Sequence, residues 1–134
     1  MRIVSISENK KIERRVAITP DIAKKYIAIG FEVSLSENYG EHLGFKDREY
    51  KALGVKISKD EKEIISEANV IVQLGLPSDE KVSLIKENQT LIGILNPYNK
   101  KEKINILVKK NINIFSLELL PRITRAQSMD ILSS

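Results

Sequence analysis

The chain has 134 residues, 42% of them hydrophobic and 30% charged, which describes one globular domain with no room for a binding domain plus a substrate domain. It contains no cysteine and a single histidine, His42, so disulfides, thiolate sites and multi-histidine metal centres are excluded; the expected metal count is none. The net charge of +4 arises from 16 Lys and 6 Arg against 18 scattered acids, with no Trp and 5% aromatics, a balance that argues against nucleic-acid binding.

The first residues, Met1 to Glu8, turn acidic too soon for a signal peptide, and no apolar run approaches the ~20 residues of a membrane span. A cytoplasmic chain is expected. Residues 3–6 read as a first strand. Thr19, Pro20 and Asp21 then open a helix as N-cap, first-turn proline and dipole-facing acid. Ile22, Tyr26 and Ile29 share one face of it, and Gly30 ends it. Residues 31–35 form a second strand. A short helix follows, capped by Asp47, running through Tyr50 and Leu53 and closed by Gly54.

Residues 55–57 are a third strand. Ser58 and Glu61 have the spacing of a capping box for the next helix. Residues 69–74 are nearly all apolar, as a strand covered on both faces requires. Ser78 starts a helix carrying Val82 and Ile85, and residues 91–95 form a fifth strand. A Lys-rich helix between Lys100 and Lys110 is marked by Ile104, Leu107 and Val108; its cationic face is read as solvated rather than membrane-bound. Residues 112–117 close the series as a sixth strand.

Strand and helix alternate in units of about 30 residues, and no Asn-Gly or Asp-Gly hairpin signal interrupts them. The fold class is therefore α/β: a doubly wound, mostly parallel, flavodoxin- or Rossmann-like sheet. Such sheets take ligands at the carboxyl ends of their strands, here residues 7–15, 36–44, 75–78, 96–99 and 118 onward. No strand is followed by a glycine-rich phosphate fingerprint; Gly40 and Gly44 bracket only Glu41, His42 and Leu43. The domain is not expected to hold a dinucleotide's phosphates by itself. His42 is read as a solvated loop residue.

Two clusters stand out. Arg14 and Arg15 run directly into the capped helix, placed either for an anion or for a surface pair with Glu13 or Asp21. The stretch from Glu118 to Ser134 gathers Arg122, Arg125, Gln127, Asp130 and several hydroxyls. It reads either as a polar loop or as a set able to grip a carboxamide and ribose hydroxyls.

Arg15 to Pro20, Gly30 to Val33 and above all Glu118 to Ser134 closely resemble the N-terminal segment of the alpha subunit of proton-translocating NAD(P) transhydrogenases. The chain is thus similar to the alanine dehydrogenase/transhydrogenase N-terminal domain family over its whole length, residues 1–134. Residues 117–134 correspond to the start of the nicotinamide-contacting loop and crossing segment, which in the family leads to a Rossmann domain. The resemblance implies NAD(H) as cofactor, with NADP(H) on the partner subunit and no tight binding to this segment alone. It implies that Arg122, Asp130 and Ser133 hold the nicotinamide end. Gln127 would reach toward NADP(H), and Gln127 and Asp130 would be the catalytic positions. The implied partners are the rest of the alpha subunit, an NADP(H)-binding beta subunit, the membrane portion of the complex and a second alpha subunit as homodimer. The implied location is cytoplasmic, peripheral to the inner membrane.

Hydride transfer of this kind needs no proton shuttle, so the protein's task is to bring two nicotinamide rings into register. The related alanine dehydrogenases resemble this chain at Arg15, but where they carry a substrate lysine and a catalytic histidine it has Gly75 and Asn96. Without either group, amino-acid deamination lacks its acid–base partner, and alanine dehydrogenase is the weaker alternative. A non-catalytic flavodoxin-like module is a third reading, and it leaves residues 118–134 unexplained.

Overall fold

The structure, a computed structural model, describes residues 1–11, 13–94 and 101–116. Six strands form one sheet: β1 (Arg2–Ser5), β2 (Glu32–Ser36), β3 (Lys56–Ser58), β4 (Val70–Val72), β5 (Thr90–Gly93) and β6 (Asn113–Ser116). Five helices connect them: α1 (Pro20–Ala28), α2 (Asp47–Ala52), α3 (Glu61–Glu67), α4 (Asp79–Val82) and α5 (Lys101–Lys109). The sheet order is β3-β2-β1-β4-β5-β6 and every pairing is parallel, as a chain without hairpin turns dictates. Order reverses between β1 and β4, which makes their carboxyl ends the topological switch point.

Alternation along the strands sends successive side chains to opposite faces. Ile3, Val33, Leu35 and Val72 pack with Ile22 and Ala23 of α1 and Tyr50 of α2 on one side. Val4, Ile71 and Leu91 pack with Ile64 and Ile65 of α3, Val82 of α4 and Leu107 of α5 on the other. Both faces of the sheet are covered, so the apolar run ending in β4 is buried as its composition requires.

Helix ends follow local signals. Thr19 caps α1, its Oγ1 accepting from the Ile22 N–H at 3.3 Å, and Gly30 takes φ +99° just past the end. Gly54 does the same for α2 at φ +100°. Several expectations need correction. Ile29 is the C-cap of α1 and 67% exposed, and Val108 is 58% exposed on α5, so neither belongs to a buried stripe. Lys46, not Asp47, is the N-cap residue of α2; the Asp47 carboxylate instead accepts from the Asn38 N–H.

The Ser58–Glu61 capping box does not form. Asp60 is the N-cap of α3 and its carboxylate accepts from the Glu63 N–H at 3.2 Å, because Ser58 is still paired in β3. The helix from Ser78 is only four residues long, and Ile85 is buried beyond its end. Strand limits shift by about one residue, as helix and strand ends commonly do. Leu95 and Leu117, the expected ends of the last two strands, lie outside the described residues.

Candidate functional site at the sheet switch point

The β1–β4 ladder ends at a side chain. Gln73 is 1% exposed, and its amide copies the next rung of backbone pairing: Oε1 accepts from the Ile6 N–H at 2.7 Å and Nε2 donates to the Ile6 carbonyl at 3.1 Å. The second amide hydrogen points to Glu8, whose Oε2 accepts from Gln73 Nε2 and from the Leu74 N–H, both at 2.9 Å. The Gly75 N–H also faces this carboxylate. Burial pushes the Glu8 carboxyl above the usual carboxylate range, and the Leu74 and Gly75 N–H groups pull the other way.

Beside it lies a buried hydroxyl relay. The Ser5 Oγ donates to the Val72 carbonyl at 2.6 Å and stands 2.8 Å from the Tyr39 hydroxyl. The Tyr39 oxygen accepts from the Ala17 and Ile18 N–H groups at 3.0 and 3.1 Å, while the Tyr50 hydroxyl donates to the Ile18 carbonyl at 2.8 Å. Two tyrosines thereby fix the residues entering α1 and set Arg14 and Arg15 on the rim. Burial raises both tyrosine hydroxyls far beyond the physiological range, so they act as neutral hydrogen-bonding groups. On the other side of β1, the Ser36 Oγ accepts from the Ser7 N–H and donates to Glu61, which also pairs with Lys81.

Arg15 is 72% exposed at the side chain and forks onto the Glu13 carboxylate, at 2.8 and 3.0 Å, which holds that carboxyl below the usual range. Of its two sequence readings, the surface pair is the one that forms. His42 corrects its expectation: it is half-buried rather than solvated. Its Nε2 lies 2.6 Å from the Arg14 carbonyl, which can only accept, so that nitrogen carries the proton and Nδ1 is enclosed without a partner. Arg122, Gln127, Asp130 and Ser133 lie outside the described residues, as does Asn96. Among the described residues, no group of three or more His, Asp or Glu is gathered as a metal site, and no helix is long and apolar enough to cross a membrane.

The described switch point does not fit a dinucleotide diphosphate. Its backbone donors already hold a carboxylate, and no glycine turn leads from β1 toward α1. Sequence reasoning passed over Glu8 and Gln73. A lone amide in an otherwise apolar strand was the available signal for Gln73; Glu8 had none beyond its place after a strand.

The family described as Alanine dehydrogenase/PNT, N-terminal domain, matches residues 5–134. The whole chain is similar, at 42% identity, to the first of the polypeptides that make up NAD(P) transhydrogenase subunit alpha in Rickettsia prowazekii, and spans 36% of that protein's length. Among solved structures, it is similar to the transhydrogenase from Sinorhizobium meliloti, with a TM-score of 0.85 and 34% identity, covering 98% of this chain and 39% of that one. It also shares its fold with an L-alanine dehydrogenase, at TM-score 0.82 and 23% identity, covering 88% of this chain and 32% of that one.

Proposed function

This chain belongs to the alanine dehydrogenase/PNT N-terminal domain family, and from that premise we propose that it serves in an NAD(P) transhydrogenase that passes hydride between NAD(H) and NADP(H), coupled to proton translocation. The observation that carries this reading is the match along the entire chain, at 42% identity, to a transhydrogenase alpha subunit. The chain's own contribution is the segment over the nicotinamide. Arg122, Asp130 and Ser133 hold that end of NAD(H), and Gln127 reaches toward NADP(H) on the partner subunit. These roles rest on the sequence resemblance. The remaining partners are the rest of the alpha subunit with its Rossmann domain, the beta subunit, the membrane portion and a second alpha subunit. The assembly works at the cytoplasmic face of the inner membrane, and the segment alone is inactive.

The switch point supports the reading from the other side. Its donors are occupied by Glu8, so cofactor phosphates must be held elsewhere in the complex. Alanine dehydrogenase chemistry is disfavoured at the same place. Gly75 supplies no ammonium beside Glu8, and Arg15 is engaged by Glu13. In the assembled enzyme, Gln127→Asn is expected to slow hydride transfer to a nicotinamide analogue far more than it weakens NADH binding. An unchanged transfer rate removes Gln127 from the site.

A further inference from the structure

We propose that the switch-point crevice contains a carboxylate-binding nest whose resident ligand is Glu8, and that a free small monocarboxylate such as acetate takes the same place once that side chain is removed. Three donors converge there from one stretch of chain: Gln73 Nε2 and the Leu74 N–H, each 2.9 Å from Glu8 Oε2, and the Gly75 N–H. They are set in place independently of Glu8. Gln73 is locked by its two bonds to the Ile6 backbone, and the Gln73 N–H and Leu74 carbonyl are tied to Ile92 and Ile94. Gly75 leaves the carboxylate room against the backbone: a Cβ there would lie 3.9 Å from Glu8 Oε1.

The position is where doubly wound sheets receive an anionic ligand group, so this chain carries its own anion where related architectures take one from outside. Neighbouring charges nearly balance. Lys81 of α4 favours the carboxylate, Glu13 of the loop after β1 disfavours it, and Tyr39 of the loop after β2 is neutral. Orientation of a carboxylate by this nest therefore depends on its donors rather than on a counter-ion. The inference is independent of the transhydrogenase reading, since the nest lies wholly within the described residues.

The test uses the full chain and its Glu8→Ala variant, melted in sodium acetate and in sodium chloride of equal ionic strength. The variant is expected to lose thermal stability and to regain about half or more of the loss in acetate, saturably, while wild type responds alike to both salts. An equal response of the variant to both salts, or an acetate response in wild type, overturns the proposal. A second measurement needs no variant: on acidification of wild type, the Leu74 and Gly75 amide resonances should move with the Glu8 carboxyl carbon at one shared midpoint. Amides that stay still while Glu8 titrates overturn the nest even if Glu8→Ala fails to fold.

Discussion

At the residue scale, the switch point is built from polar groups that have no water to fall back on. Gln73 and Ser5 are almost completely buried, and each bond they make satisfies a backbone group that the end of a strand would otherwise leave open. Tyr39→Phe removes the acceptor of two buried N–H groups, those of Ala17 and Ile18, and is expected to cost about 2–3 kcal/mol. Urea unfolding measures the loss, and faster hydrogen exchange at those two amides assigns it to this contact. Glu8 makes a pH prediction of definite sign. Burial raises its folded pKa above the unfolded value, so its contribution to stability is fully present below the unfolded value and is lost as pH rises through the raised one. Relative to Glu8→Gln, wild type should therefore gain stability as pH falls from neutrality into the carboxylate range. A constant difference between the two unfolding free energies would contradict the buried, raised carboxyl.

At the scale of elements, the signals that succeeded were those whose partners lie within one helical turn. Thr19 before Pro20 caps α1 because both the hydroxyl and its acceptor target come from four consecutive residues. The Ser58–Glu61 box has the same local appearance, yet β3 pairs with β2 as far as Ser58, and the helix cannot begin until Asp60. Glu61 then turns to Ser36 and Lys81 instead of back to Ser58. Asp60→Ala should cost about 1 kcal/mol through the lost cap and Ser58→Ala clearly less; chemical denaturation of the two variants decides, and equal losses would restore the box. Tertiary pairing also explains Ile29 and Val108. Both fit a helical repeat, but the α1 stripe ends before Ile29 and α5 turns Leu107 rather than Val108 to the core.

For the whole molecule, two cores on opposite faces of a six-stranded parallel sheet make a domain whose ligand crevice is filled by its own side chain. The chain by itself is accordingly expected to bind NADH negligibly; micromolar binding in a calorimetric titration would contradict this. Much of the architecture was legible beforehand. Alternating strands and helices, the absence of hairpin turns, Thr19, Gly30 and Gly54 act through neighbours a few residues away, so the sequence by itself determined an all-parallel, doubly wound α/β domain without a glycine-rich phosphate loop. The order of the strands was decided only by the tertiary structure, and with it the meeting of Glu8 with Gln73 and Leu74, 65 and 66 positions along the chain. No local pattern encodes such a contact. It depends on which strands lie side by side, and that is set by how the two apolar faces are buried together.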